Sequence, residues 1–446
     1  MSSLTFKKGI HPKHAKKQTQ NKAIEYVLPE GDVTIMLLQH IGAPCKSLVK
    51  PGDLVLVGQK IGDSDSFVSA PVHSTVSGKV KKVAEVLHPS GSKIPAVIIE
   101  NDGEYKEIDM VVKDPYSMSK EDILSTIREA GVVGMGGAGF PTHIKLNPPN
   151  SDQIDHIIIN GAECEPYLTS DHRVMLEETD RVVLGLSVIL SIFPKAKGVI
   201  AIEDNKPDAI KAMEEAVAKF KNTSNLEIAK NMYVARLATK YPQGAEKQLI
   251  YSITKREVPS GKLPADAFCI VQNIDTVVAI HRAFFRGRPL MRRIVTVSGE
   301  NVKNPGNYKV KIGTSFRQVI EHAGGLIDES KKIIAGGPMM GMALFSVDVP
   351  IIKTSGAILL LSDDEMHMRD ESPCIRCGKC VDACPMNLLP LDLDKFARNN
   401  SKEQFVNYKG MNCIECGSCS FVCPSKRHLV QSIRTTRRTI MAERRK

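Results

Sequence analysis

Cys374-Ile-Arg-Cys377-Gly-Lys-Cys380-Val-Asp-Ala-Cys384-Pro385 returns further along the chain as Cys413-Ile-Glu-Cys416-Gly-Ser-Cys419-Ser-Phe-Val-Cys423-Pro424. Spacers this short curl the backbone so that three thiolates face three irons of one cubane. The fourth cysteine, whose proline turns the chain away, belongs to the other cluster. The spacing therefore predicts two [4Fe–4S] centres, one on Cys374, Cys377, Cys380 and Cys423, the other on Cys413, Cys416, Cys419 and Cys384. Zinc would use paired cysteines at tetrahedral sites and leave the third cysteine and the repeated Cys-Pro without a role. The spacer Pro385–Asn412 alternates apolar and charged residues from Leu388 to Tyr408, which predicts one or two helices between the cluster loops. With little apolar material of its own, this two-cluster domain (366–430) is expected to need its clusters in order to fold.

The remaining chain is of ordinary composition. Of 446 residues, 42% are hydrophobic and 25% charged, enough to build several cores. Aromatics are only 5%, with no Trp, which argues against a base-stacking nucleic-acid surface. No apolar run reaches the ~18–20 residues needed to span a bilayer. The longest, Val182 to Phe193, is broken by Gly185, Ser187 and Ser191 and reads as a buried helix. Residues 1–22 hold six lysines and no acid, but no apolar segment follows, so no export signal is expected. Eleven cysteines without such a signal fit a reducing compartment. The net charge of +10 is concentrated at the ends. Both the N-terminal arm (1–29) and the C-terminal tail (431–446) are expected as solvated basic arms. Docking to an acidic protein or an anionic membrane surface is the sharper alternative.

Residues 30–110 alternate apolar pairs with turn residues and read as a β domain. The strings Lys50-Pro-Gly-Asp-Leu-Val-Leu-Val-Gly-Gln-Lys-Ile-Gly62 and Ser69-Ala-Pro-Val-His-Ser-Thr-Val-Ser-Gly78 resemble the biotinyl/lipoyl-like sandwich family. Asp63-Ser-Asp-Ser66 stands where that family carries its modified lysine, so no lipoylation is expected. Over 117–290 helix and strand alternate, as in an α/β domain. Ser119-Lys-Glu-Asp122 has the form of a capping box, Ile157–Ile159 and Val199–Ile202 read as strands, and Pro207–Phe220 as an amphipathic helix. Residues 291–345, with Arg293-Ile-Val-Thr-Val-Ser-Gly-Glu300 and the turn Asn304-Pro-Gly-Asn-Tyr308, resemble the soluble-ligand-binding β-grasp family. A strand at Ala357–Leu361 and a boundary at Asp363-Asp-Glu365 complete a linker over 346–365.

Gly134-Met-Gly-Gly-Ala-Gly139 has the form G-x-G-x-x-G, but a helix rather than a strand precedes it, so it is not a Rossmann site. Glycines let backbone N–H groups approach a phosphate or a flat ring. Pro141 and Thr142 look like a first helical turn, with Lys145 able to reach an anion. A glycine turn without a ligand stays open on this loop alone.

The longer run Gly131-Val-Val-Gly-Met-Gly-Gly-Ala-Gly-Phe-Pro-Thr-His-Ile-Lys145 resembles the flavin loop of the NADH-oxidising, FMN-bearing subunit of respiratory complex I. Asn160-Gly-Ala-Glu-Cys-Glu-Pro166, Gly244-Ala-Glu246 and Gln272-Asn-Ile-Asp-Thr276 follow in the matching order. The resemblance implies non-covalent FMN held by Gly134, Gly136, Gly137, Lys145, Asn160, Glu163, Gly244, Asn273 and Thr276, with Ala138 and Gly139 in the same loop. It implies that Phe140, Glu165 and Glu246 face NAD(H). Ala162 and Ala245 stand where that family has acids, and Met135 where it has a cation.

Taken together, the chain resembles the C-subunit family of the Rnf electron-transport complex, from Phe6-Lys-Lys-Gly-Ile-His-Pro12 through Gln39-His-Ile-Gly-Ala-Pro44 to the second Cys-Pro. The implied fold is multidomain, α/β and α+β: a lipoyl-like β sandwich, an α/β FMN/NADH-binding domain, a β-grasp domain and a ferredoxin-like domain. The implied protein is a peripheral subunit on the cytoplasmic face of the cell membrane. Its partners would be integral membrane and flavin-bearing Rnf subunits, and indirectly ferredoxin, in a complex coupling electron flow to Na⁺ or H⁺ movement. A nicotinamide exchanges two electrons as hydride and an iron–sulfur cluster moves one, so a flavin must stand between them. No catalytic acid or base is required; Glu163 and Glu165 read as binding groups, and Cys45, Cys164 and Cys269 as small buried residues. No histidine pair reads as a metal site, and Met339, Met340 and Met342 read as loop packing. A cobalamin reductase with the same domain order is the alternative function, and a non-catalytic scaffold the second. A nucleic-acid role would leave the cluster cysteines superfluous.

Overall fold

The computed structural model describes residues 3–328, 332–362 and 370–444; the boundary expected at 363–365 lies outside them. Strands Asp32–Met36, Lys93–Asn101, Gly78–Leu87 and Leu54–Val55 form one antiparallel sheet, in that order. Lys46–Ser47, Lys60–Asp63 and Val72–His73 form a second. Inward residues of both sheets meet in one core that includes Val33, Ile35, Ile61, Val72, Val97 and Ile99. Gly62 is required there, since a Cβ would come within 2.7 Å of Leu37 and 2.8 Å of Val72.

The α/β unit holds a parallel sheet in the order Met232–Leu237, Lys197–Glu203, His156–Gly161, Cys269–Asn273. Its strands are nearly all apolar because helices cover both faces. Helices Thr179–Ile192, Pro207–Thr223 and Ile274–Phe285 share one large core, and Glu246–Thr254 packs on the other side. Gly185 lets two helices touch, since a Cβ would lie 2.2 Å from the Val277 carbonyl. The helix over 179–192 buries most of its residues, and among the described residues no helix is long and apolar enough to cross a membrane.

The third sheet differs from the sequence expectation. Its order is Ile24–Val27, Gly306–Lys311, Arg292–Ser298, Ala357–Leu361, Lys332–Ala335, Met342–Leu344. It thus recruits one strand from the expected N-terminal arm and another from the expected linker. Both pair in parallel with partners remote in sequence, which local periodicity does not register.

Neither terminus is the solvated arm that its charge suggested. Leu4 N donates to Arg236 O and Ile10 N to Tyr241 O, each at 2.8 Å. Lys16 is buried and donates to the carbonyls of Glu163 (2.7 Å) and Leu168 (2.5 Å). At the other end, helix Leu429–Glu443 buries Ile433 and Ile440 against Leu388, Leu393 and Phe405. That small core, supplied by the helix expected as a tail, gives the cluster domain more apolar packing than its spacer alone promised. Helices Pro390–Arg398 and Lys402–Asn407 fill the spacer.

Candidate redox centres

The glycine loop closes through Gly134 N to Phe140 O (2.9 Å) and lies on the N-terminus of helix Ile274–Phe285. There Met135 N donates to Thr276 Oγ1 (3.0 Å). A Cβ on Gly136 would meet the Asn273 side chain at 3.0 Å, whereas one on Gly137 would meet nothing within 4 Å. Gly136, Gly137 and Ala138 are exposed, so the loop offers bare backbone along its open edge. Asn273 caps the helix and donates from Nδ2 to Asp171 Oδ2 (2.8 Å). Asn160, at the carboxyl end of its strand, donates to Gly244 O (2.8 Å), and Lys145 Nζ meets Glu246 at 2.5 Å. The predicted residues from four segments therefore converge at the carboxyl edge of the parallel sheet, where such folds bind nucleotides. This bare backbone beside a helix N-terminus suits a flat, phosphate-bearing group such as FMN.

Besides Glu246, the other two predicted carboxylates are also engaged. Glu163 is buried and turns its carboxylate onto the start of helix Ser170–Glu177, accepting from Asp171 N (2.7 Å), with Lys16 Nζ 3.7 Å away. It braces the floor of the site. Glu165 accepts from Met339 N (3.1 Å) and Met340 N (3.0 Å) in the β-grasp loop. Burial pushes its carboxyl up to about 7 despite those donors.

The structure adds residues that the motifs did not reveal. Asp171 is held under Asn273, and burial, with the nearby charges of Glu163 and Asp275, pushes its carboxyl up. Arg293, from the neighbouring sheet, pairs with Asp275 and lies 2.9 Å from Met135 Sδ. A cation thus reaches this side of the loop where the resemblance had missed one at Met135. Ile41 N donates to Gly139 O (3.3 Å), so the β sandwich also touches the loop. Asp171 lies in no motif, and the strings that hold Arg293 and Ile41 gave no sign that either would reach the loop.

Six of the cysteines are linked by their mutual influence, Cys384 with Cys413, Cys416 and Cys419, and Cys380 with Cys423. Burial raises the Cys413 thiol to about 11 and raises those of Cys416 and Cys419, and each of the three also feels the charge of Cys384. Burial likewise raises Cys380, which feels Cys423. Thiols that oppose one another's ionisation in this way stay together as thiolates only around a cationic core. Among the described residues, Asp155, His156 and Cys269 are the one group of possible metal ligands whose ligand atoms all lie within 4.8 Å of one another. Cys374 and Cys377 are exposed, whereas Cys384, Cys416 and Cys419 are buried.

The buried set lies against the α/β unit. Tyr241 donates its hydroxyl to Cys416 O (2.7 Å) and stands 3.5 Å from Glu165. Gln248 Nε2 donates to Pro385 O (3.3 Å), and a Cβ on Gly417 would lie 2.9 Å from Met339 O.

Comparison with known proteins agrees with this layout. A barrel sandwich hybrid domain family of RnfC matches residues 4–104, and the Nuo51 FMN-binding domain family matches 127–282. The SLBB domain family matches 294–343 and a 4Fe-4S dicluster domain family 373–426. The C subunit of a Na⁺-translocating ferredoxin:NAD⁺ oxidoreductase complex from Acetobacterium woodii is 45% identical, over 99% of this chain and 98% of that one. The C subunit of a proton-translocating counterpart from Clostridium ljungdahlii is 47% identical, over 96% of this chain and 93% of that one. A NAD⁺-reducing [NiFe]-hydrogenase structure is similar in fold alone, with TM-score 0.53 and 18% identity, over 72% of this chain and 62% of that one.

Proposed function

Because the chain belongs to the family of C subunits of ion-translocating ferredoxin:NAD oxidoreductase (Rnf) complexes, we propose that it is the subunit at which NAD(H) exchanges electrons with the assembly. When bound, FMN supplies the conversion of hydride into single electrons, and the two [4Fe–4S] clusters carry these one at a time. In this reading the backbone of Gly136, Gly137 and Ala138 supports the flavin, and Thr276 and Asn273 hold the loop in place. Lys145, balanced by Glu246, supplies positive charge for phosphate. Phe140, exposed at the loop's end, and Glu246 border the nicotinamide nucleotide. Glu163 and Asp171 keep the floor rigid, and Glu165 secures the β-grasp loop over the site. Cys413, Cys416, Cys419 and Cys384 hold the inner cluster; Cys374, Cys377, Cys380 and Cys423 hold the outer one, nearest to solvent. The partners are the integral membrane and flavin-bearing subunits of the complex, with ferredoxin reached through them at the cytoplasmic face.

The observation that carries the reading is the contact between Tyr241 and Cys416. It joins the domain that carries the glycine loop to the second cysteine run, which supports electron passage between the proposed centres. Gly136→Leu should abolish NADH-dependent reduction of an artificial acceptor while leaving the cluster absorption intact. Undiminished turnover would refute the assignment.

A further inference from the structure

A cavity of about 310 Å³ opens between helix Ile274–Phe285 and the strands Ile24–Val27 and Gly306–Lys311, with Asp275 but no residue of the glycine loop in its lining. Arg282, Arg288, Arg292, Lys309 and Lys311 line it. The acids within reach are already committed. Glu178, nearly fully buried, meets Arg181 (2.6 Å), Arg282 (3.3 Å), Arg292 (3.1 Å) and Lys309 (2.9 Å) at once. Asp275 is paired with Arg293, and Glu107 is paired with Arg288 at 2.5 Å. Setting aside the Asp275–Arg293 pair, six cations therefore share two carboxylates, Glu178 and Glu107.

Nε of Arg282, and Nε and Nη1 of Arg292, are buried donors with no hydrogen-bond partner, sealed behind the cavity wall. Burying cations beside like charges is unfavourable, and an anion in the cavity would offset that surplus charge. Arginine forks set around such a space match the oxygen geometry of a phosphate. The remaining wall is apolar, with Leu28, Leu290 and Met291 lining it. The volume exceeds that of a phosphate group alone, leaving room for an attached organic body.

We propose that this cavity is a binding site for a phosphate-bearing anion with an apolar body, separate from the flavin and nucleotide site. The Asp275–Arg293 pair stands between the two, with Arg293 contacting Met135 on its far side. The same chemistry is presented by a soluble phosphorylated metabolite and by a phospholipid headgroup.

The test uses the flavin- and cluster-loaded protein, titrated calorimetrically with inorganic pyrophosphate in the absence of NADH. Saturable binding is expected, weakened at least about tenfold in the double variant Arg288→Gln/Lys311→Gln by loss of two charge-assisted contacts. Glu107→Gln, which frees Arg288 on an exposed rim, should tighten it. Flavin content of these variants should match the parent, although Lys311→Gln also gives up the 2.8 Å bond from Lys311 to Thr75 O and lowers the melting point of the double variant. Flotation with phosphatidylglycerol vesicles forms the second arm. Binding lost in the double variant there assigns a lipid headgroup, and a response to pyrophosphate alone assigns a soluble ligand. Absence of saturable binding in both arms, or equal affinity in parent and double variant, overturns the proposal.

Discussion

The phenol of Tyr241 donates a 2.7 Å hydrogen bond to the carbonyl oxygen of Cys416. One residue belongs to the α/β domain, just before Gly244, and the other to the inner set of cluster thiols. Around them Ile10, Ala383, Cys164 and Met339 close an apolar seam, so the N-terminal segment and the β-grasp loop also meet there. The bond is a joint between the two redox domains, and its loss has a measurable consequence.

Tyr241→Phe keeps the ring but leaves the Cys416 carbonyl without this donor. The expected cost to stability is about 1 kcal/mol. In rapid mixing with NADH, flavin bleaching should keep its parental rate while cluster bleaching slows several-fold. Parallel slowing of both phases would place Tyr241 elsewhere in the mechanism.

The two central glycines of the loop should separate fold from binding. Gly137→Ala adds a methyl into open space, so its melting should stay within about 0.5 kcal/mol of the parent. Because that space is where the flavin is proposed to lie, FMN retained after gel filtration should fall. Gly136→Ala presses on Asn273 at 3.0 Å and should lower both stability and FMN content. Full FMN retention in Gly137→Ala would move the flavin off this edge.

Crossed ligation predicts which centre each fourth cysteine serves. Cys384→Ser should remove the buried cluster and Cys423→Ser the exposed one, each reducing iron from about eight to about four per chain. In electron paramagnetic resonance of the reduced proteins, the signal surviving in Cys384→Ser should match the one surviving in Cys416→Ser, because both variants lose the same centre. A match with the survivor of Cys377→Ser instead would exclude the crossed arrangement.

Glu178 links charge to stability. Burial pushes its carboxyl up, but Arg292, Arg282 and Lys309 outweigh that and hold it well below the usual range. A carboxyl depressed in the folded state stabilises above its unfolded pKa of about 4.3, and this contribution is lost as pH falls from there through the folded value. At pH 7 Glu178→Gln should cost roughly 3 kcal/mol by leaving cations unpaired. Urea titrations should show this difference shrinking below about pH 4. A constant difference across that range would mean that the ion cluster does not set it.

How much was legible in the residues alone depends on how local each feature is. The paired cysteine runs and the glycine loop could be read directly, because their chemistry is set by spacers of a few residues. Asn160, Gly244 and Asn273 were found through the order of short motifs. Tyr241, Asp171 and Arg293 were not, since each acts on a partner from another part of the chain and carries no mark beside it. The termini misled for a related reason. A run of lysines reads as solvated, yet Lys16 is buried because two carbonyls and Glu163 are folded around it.

Sequence by itself carried the cysteine spacing, the bare backbone of the loop and the succession of domain families, because each depends on covalent spacing or on the absence of a side chain. Tertiary structure alone decided which cysteine run packs against the α/β domain, that the Glu163 and Glu165 carboxylates turn onto backbone N–H groups, and that five cations crowd one cavity. Those outcomes depend on distances between residues far apart in the chain. Only the packing of sheets and helices sets such distances.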